Sequence, residues 1–366
     1  MVSIDIFCDV IDNFGDAGVC WRLANIFAKE KGVSVNLFIN DPNTLSKITG
    51  GADVRSLPQL LDGVCVRRWS DALESNPSEV VIETFGCRLP ENFEKRMSQK
   101  EPHPIWINLE YLSAEDWVEG CHCLPSPHPS LNIEKTFFFP GVTPRTGGIM
   151  IEKDYFERQK NFAKRRNAFL SNFGLDPKIF TLYVFCYPSS PLELFYQALQ
   201  KDARPVNLLL PRSAAAEKLL SHHRSHNCSF INVSLAEMVK QSDFDRFLWA
   251  ADSLIVRGED SFVRAQLAAK PFIWNIYPQT EDTHIKKLLA YSERIKPFFG
   301  EDFDLWLNMN LAWNQDKTEL IRLWPRWRDA QESMRQSAAE WRGQLAKIGS
   351  LADNLWNFIQ KQIHRS

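Results

Sequence analysis

Apolar residues recur along this chain in two rhythms. Residues 3–10 form a short apolar run with β-branched content, and 19–31 then carries helical spacing through Val19, Leu23, Ile26 and Phe27. The pair predicts a strand, a turn and a helix. The strand signal returns over 33–40, ending at Asp41-Pro42, and again over 79–84 and 104–109. Short buried strands separated by segments of helical length predict a parallel sheet.

Between about 111 and 150 the rhythm dissolves into Pro, Gly, His and aromatic residues, including Phe137-Phe138-Phe139-Pro140-Gly141 and Gly147-Gly148. Long loops with one short strand are expected there. A mixed-charge helix is predicted over 152–173, carrying Lys164-Arg165-Arg166 and closed by Gly174 and Asp176-Pro177, as a crossing between two lobes. The period then restarts: strands are predicted over 179–185, 205–210, 230–233, 253–256 and 271–274, and helices over 191–200, 214–220 and 262–269. From about 301 the chain is helical and carries Trp306, Trp313, Trp324, Trp327, Trp341 and Trp356. Without a basic groove beside them, these indoles are expected to pack into the lobes rather than stack on bases. The expected architecture is α/β, with residues 1–175 and 176–349 as two Rossmann-like lobes.

A length of 366 residues accommodates two such lobes at roughly 150 residues per domain. Forty-three Lys+Arg against 45 Asp+Glu give a formal net charge of -2, so no global cationic field is available for nucleic acid or anionic lipid. No apolar run approaches the ~18 residues that span a bilayer. Asp5 stands where a signal peptide carries lysines, and a cytoplasmic protein without a membrane partner is expected. The eight cysteines are too scattered for a disulfide scaffold, and Cys121-His122-Cys123 lacks the spacing of a zinc knuckle, so no metal is expected.

Two stretches offer chemistry. The first is Asp12-Asn13-Phe14-Gly15-Asp16-Ala17-Gly18, between the first strand and its helix, where open α/β sheets bind ligands. Gly15 and Gly18 permit a tight turn, while Asp12 and Asp16 repel phosphate and attract a cation. Asp16 as a helix cap at a start near Gly18 is the alternative. The second is Arg257-Gly258-Glu259-Asp260-Ser261-Phe262, between a strand and a helix expected to begin near Phe262. Free N–H groups at that helix start, the Ser261 hydroxyl and the Arg257 charge suit a diphosphate; a capping role for Asp260 or Ser261 is the alternative. Phe185, Tyr187, Phe244 and Tyr277 lie near strand ends or in loops of the same lobe, where they either sandwich a base or fill the core. Acceptor on one lobe and nucleotide on the other, facing across a cleft, is by analogy the arrangement of GT-B glycosyltransferases.

Three blocks carry a closer resemblance: Asp12-Asn13-Phe14-Gly15-Asp16 with Trp21-Arg22-Leu23, the run Arg257 to Gln266, and Lys270-Pro271-Phe272-Ile273-Trp274-Asn275-Ile276-Tyr277-Pro278-Gln279. In this order and spacing the sequence resembles the bacterial protein-arginine rhamnosyltransferases that modify translation elongation factor P. The resemblance implies an inverting, metal-independent GT-B enzyme, without a cofactor, that moves L-rhamnose from TDP-β-L-rhamnose to one arginine of that factor, activating it for ribosomes stalled at polyproline. It implies Asp12, Asp16 and Glu259 as catalytic acids, with Asp16 as the base. It places Asn13, Phe14 and Gly15 in the acceptor turn, and Phe185, Tyr187, Gln241, Phe244, Arg257, Asp260, Ser261 and Tyr277 around the donor. It also implies that a final helix, 350–366, rejoins the amino-terminal lobe.

Arginine near pKa 13.8 and a carboxylate near 3.9 stand about 10 units apart, or about 13 kcal/mol for outright deprotonation. The acids are therefore expected to bind and orient the guanidinium, with the proton leaving only as the C–N bond forms. Rival readings are a sugar-nucleotide glycosyltransferase with a small-molecule acceptor, and a non-catalytic module that docks a translation factor. A dinucleotide oxidoreductase lacks its Gly-x-Gly-x-x-Gly turn.

Overall fold

The computed structural model describes residues 2–364 apart from 12, 13, 52, 54 and 316, and the side chain of Thr280 is also left out. The chain divides into two compact units, Met1–Lys153 with Leu345–Ser366, and Asp154–Gln344.

The first unit is built on an eight-stranded sheet: β1 (Ser3–Cys8), β2 (Ser34–Ile39), β3 (Gln59–Leu61), β4 (Val64–Arg68), β5 (Val80–Thr84), β6 (Ile105–Leu109), β7 (Pro125–Pro127) and β8 (Glu134–Phe138). Its order is β3-β4-β2-β1-β5-β6-β8-β7, and only the edge strands β3 and β7 run antiparallel to their neighbours. The central strands are buried on both faces, which is why they read as continuous apolar runs. The helix Phe14–Glu30 packs on β1 and β2 through Leu23, Ile26 and Phe27. The helix Leu351–Ile363 presents Leu351, Leu355 and Ile359, one face of a 3.6-residue period, to the same core. It is pinned by the Leu351 amide, which donates to the Ile149 carbonyl (2.8 Å), and by the Asn354 amide, which donates to the Gly147 carbonyl (3.1 Å).

β3 and β4 were not anticipated, although Asp62-Gly63 between Leu61 and Val64 is a hairpin signal. Both residues take a left-handed backbone (φ 50° and 88°), as a two-residue turn that matches strand twist requires. The loop-rich stretch from 111 to 150 holds two short strands, β7 and β8, where one was expected.

The second unit carries five parallel strands: β9 (Thr181–Val184), β10 (Val206–Pro211), β11 (Ile231–Ala236), β12 (Ser253–Arg257) and β13 (Phe272–Asn275), in the order β11-β10-β9-β12-β13. The expected lobe boundary at 175 does not hold. Residues 155–171 form two short helices, Tyr155–Ala163 and Arg166–Ser171, that belong to this second unit. The reason is bonding to residues distant in the chain: the Trp249 indole donates to the Tyr155 hydroxyl (2.9 Å), and the Arg166 guanidinium donates to the Ala250 carbonyl and to both Asp252 oxygens, as well as to the nearer Pro177 carbonyl. At the other end the boundary falls inside the helix Gln331–Ile348 rather than at 349. Trp306, Trp313, Trp324, Trp327 and Trp341 are all buried, with the Trp327 and Trp341 indoles donating to Ser253 and Gln266. Trp356 packs half-buried on the core of the first unit.

Candidate active site

In the first unit the relevant edge is formed by the carboxyl ends of β1, β5 and β6, which lie side by side. Parallel packing brings the loops that follow these strands together, the usual ligand position in an open α/β sheet. Asp16 sits there, 2 % exposed. It does not precede its helix, as the capping alternative requires, because the helix begins at Phe14 and Asp16 lies within the first turn. Gly15 and Gly18 are likewise helical residues rather than turn glycines. One Asp16 carboxylate oxygen accepts from the Ile11 amide (2.8 Å) and the other from the Tyr111 hydroxyl (3.1 Å). A carboxylate held at both oxygens has a fixed orientation, and its helix-start position favours its charge.

The neighbouring loops are pinned as well. Asn40 accepts from the Val10 amide (2.9 Å) and donates to Asp9, fixing the turn that follows β1. Tyr111, just beyond β6, stacks on Phe85, just beyond β5, with centroids 4.2 Å apart and ring planes 10° from parallel. Phe85 takes a left-handed backbone (φ 58°), a conformation that costs a non-glycine residue about 1–2 kcal/mol and is concentrated at functional sites. Its amide donates to the Leu109 carbonyl (2.7 Å), so sheet bonding and the ring stack hold the strained residue in place. Beside these residues lies an open cavity of about 370 Å³ lined by Asp9, Ile11, Asn40, Trp69, Phe85 and Arg88, among others. Phe14 is half-buried, with the Lys47 ammonium 5.9 Å from its ring centre. Asp12 and Asn13 lie outside the described residues. Arg22, from the same block of sequence, is buried and paired with Glu152, a packing role.

In the second unit the corresponding edge is the carboxyl end of β12 between β9 and β13. The chain leaves β12 at Arg257, turns at Gly258 and enters the helix Glu259–Ala268. Gly258 has φ 67° and ψ -171°, a region essentially closed to residues with a Cβ, so this turn demands glycine. The helix starts at Glu259 instead of near Phe262. Glu259, Asp260 and Ser261 therefore occupy its first turn, and Asp260 and Ser261 do not precede it as caps.

Around this turn most of the expected donor residues are linked. The Arg257 guanidinium lies 4.6 Å from the ring centres of both Phe185 and Tyr187. Phe185 meets Phe244 at 6.4 Å, and Tyr187 meets Tyr277 edge-on at 5.4 Å. Gln241 donates to Asp260 (3.3 Å), joining the starts of two neighbouring helices. Tyr277 is 59 % exposed and Tyr187 buried, so this aromatic chain runs from core to surface. Arg257 and the N–H groups at a helix start form a site for an anion flanked by rings.

Residues that sequence reasoning passed over position this site. Asn275, at the end of β13, accepts from the Tyr187 amide (2.9 Å) and the Ser190 hydroxyl (2.8 Å). Arg264, fully buried, grips Asp245 through both oxygens (2.7 and 2.5 Å), tying the helix Gln241–Ala250 to the helix Glu259–Ala268. In the first unit Tyr111 was missed; its signal was its place two residues after a buried strand.

Elsewhere, His122 accepts from the Phe139 amide (3.1 Å), and burial pushes its imidazole pKa down. Among the described residues no three His, Cys, Asp or Glu side chains are grouped so as to hold a metal ion, and no helix is long and apolar enough to cross a membrane.

Residues 4–360 match the family described as "Elongation-Factor P (EF-P) rhamnosyltransferase EarP". The chain is 39 % identical to the protein-arginine rhamnosyltransferase of Pseudomonas putida, over 98 % of this chain and 99 % of that one. It is also similar to a solved chain from "Structural basis for EarP-mediated arginine glycosylation of translation elongation factor EF-P", with 26 % identity, TM-score 0.67 and 99 % of each chain covered. Acinetobacter baumannii MurG shares the fold alone, at 10 % identity, TM-score 0.52 and coverage of 98 % and 99 %.

Proposed function

The chain belongs to the EarP family of protein-arginine rhamnosyltransferases, glycosyltransferases of GT-B fold, and we propose that it transfers L-rhamnose from TDP-β-L-rhamnose to an arginine of elongation factor P in the cytoplasm. The observation that carries the acceptor half of this reading is the fixed orientation of Asp16. A buried carboxylate held from two sides and edged by a stacked aromatic pair suits a planar cation, and guanidinium pairs with both groups at once.

In this reading the guanidinium is oriented at Asp16, and a guanidine nitrogen attacks the anomeric carbon from the side opposite the diphosphate. As the C–N bond forms, the anomeric C–O bond breaks with inversion, and its electron pair leaves with TDP. The guanidinium proton passes to the Asp16 carboxylate during bond formation, since its prior removal is too costly. Asp12 adds negative charge to the acceptor site, beside Asn13, Phe14 and Gly15.

The second unit serves the donor. Arg257 and the N–H groups at the start of Glu259–Ala268 offset the charge growing on the departing diphosphate, with Ser261 donating from the same turn. Phe185, Tyr187, Phe244 and Tyr277 supply rings for the base and sugar, and Gln241 keeps Asp260 in register. Glu259 acts beside the leaving group as the third acid. No metal or cofactor takes part.

The test is intact-mass spectrometry of elongation factor P incubated with the protein and TDP-L-rhamnose. One added deoxyhexose mapped to a single arginine supports the reading. Donor binding by calorimetry without any mass gain means that the acceptor is misassigned.

A further inference from the structure

The second unit has another opening, at the opposite edge of its sheet. Lys270 precedes β13 and Asp252 precedes β12, whereas Arg257 ends β12 and Glu259 follows it, so in a parallel sheet the two groups lie at opposite strand ends. At the amino edge lies a groove of about 620 Å³, within the range of small-molecule sites. Five of its lining residues are cations, Lys160, Arg166, Lys270, Arg335 and Arg342, and none is acidic. Its apolar lining includes Phe156, 39 % exposed, and the mostly buried Phe162 and Trp249.

Two of the cations are already engaged. Arg166 is bound to Asp252, and Arg335 pairs with Glu332. The other three, among the described residues, have no carboxylate partner. Arg342 is oriented by donation to the Gln159 side-chain oxygen (3.0 Å), and Gln159 is itself fixed by donation to the Ala268 carbonyl (3.1 Å). Lys270 is partly buried and makes no hydrogen bond or ion pair among the described residues. The nearby carboxylate that favours its charge, Asp252, is occupied by Arg166 and by the Thr181 amide (2.8 Å). Burial, with Arg166 and Arg335 beside it, pushes the Lys270 ammonium down to about 8.

Partly buried cations without carboxylate partners of their own are costly, and an anion bridging them removes that cost. We propose that this groove binds a small phosphate-bearing anion of nucleotide size, its phosphate between Lys270 and Arg342 and its flat apolar part against Phe156. The site is separate from the donor residues and uses none of them.

Calorimetric titration of inorganic pyrophosphate into the protein saturated with TDP tests this. A binding event is expected in the wild type, about ten- to a hundredfold weaker in Lys270→Met/Arg342→Gln, the range for loss of charge-assisted hydrogen bonds. TDP affinity is expected to stay unchanged in the variant. No event at millimolar pyrophosphate, or an event of equal affinity in the variant, overturns the proposal. Should the variant fail to fold, carbon-13 spectra of the reductively methylated wild type serve instead: pyrophosphate is expected to raise the Lys270 titration midpoint, and an unmoved midpoint overturns the site. Failure of TDP itself to bind counts against the donor assignment and leaves the pyrophosphate result to be read alone.

Discussion

Arg264 and Asp245 offer the sharpest quantitative handle on the donor unit. The pair is 0 % and 1 % exposed at its side chains and doubly hydrogen-bonded, and the Arg264 guanidinium lies 4.3 Å from the Tyr155 ring centre. Replacing Asp245 by Asn keeps the volume but removes the buried negative charge that Arg264 grips through both oxygens and that Arg158 approaches to 3.7 Å. Breaking a buried pair from one side costs about 3–5 kcal/mol. For a unit of this size each kcal/mol lowers the melting temperature by about 2–4 °C, so the second unit should melt roughly 6–20 °C earlier. Replacing both partners, as Asp245→Leu/Arg264→Met, should recover most of that loss, since a well-packed apolar pair is often neutral or stabilising. Differential scanning calorimetry of the three variants reads this directly. Because the pair ties the helix that starts at Gln241 to the one that starts at Glu259, Asp245→Asn should also weaken TDP binding while the double variant retains it. A loss below about 1 kcal/mol for Asp245→Asn, or a double variant as unstable as the single, refutes the argument for a paired and desolvated clamp.

Tyr111→Phe removes one of the donors that hold Asp16, and transfer to the acceptor should slow by about ten- to a hundredfold with TDP affinity unchanged, read by kcat/KM and calorimetry. Arg257→Lys keeps the charge but loses the planar group between Phe185 and Tyr187; TDP should bind about tenfold more weakly, and affinity within twofold of wild type speaks against the sandwich. Lys270 titrates lower folded than unfolded, near 8 rather than 10.5, so between those values the unfolded chain binds more protons and stability rises with pH. Below pH 8 that contribution is absent. Urea melts of wild type and Lys270→Met from pH 7 to 11 should therefore differ in slope over this window, and parallel curves refute the shift.

How much of this was legible in the sequence follows from which forces set each feature. The buried strands of both sheets were visible because parallel strands covered on two faces are apolar throughout, as with Val80–Thr84 and Val206–Pro211. The helix starts were misplaced by three to five residues at Phe14 and Glu259, because the apolar period begins only after a first turn that holds Gly15 and Asp16 in one helix and Glu259, Asp260 and Ser261 in the other. The boundary at 175 failed because the contacts that assign 155–171 to the second unit, Tyr155 to Trp249 and Arg166 to Asp252, join residues more than 80 positions apart. The site divides in the same way. Asp16 and Arg257 could be read from their place between a strand and a helix, whereas Tyr111, Asn275 and the partnership of Arg264 with Asp245 depend on what the fold brings alongside them. Phe85 was invisible, because nothing in its type announces a left-handed backbone.

The central claim is that Asp16 handles the acceptor and not the donor. It is tested most directly by measuring, on the same preparation of Asp16→Asn, TDP-rhamnose affinity by calorimetry and rhamnosyl transfer to elongation factor P by intact mass. Unchanged donor affinity is expected, with a transfer rate lowered by about 10²–10⁴-fold, the usual contribution of a general base. Donor affinity falling in step with transfer would place Asp16 in the donor site, and undiminished transfer would remove it from the chemistry.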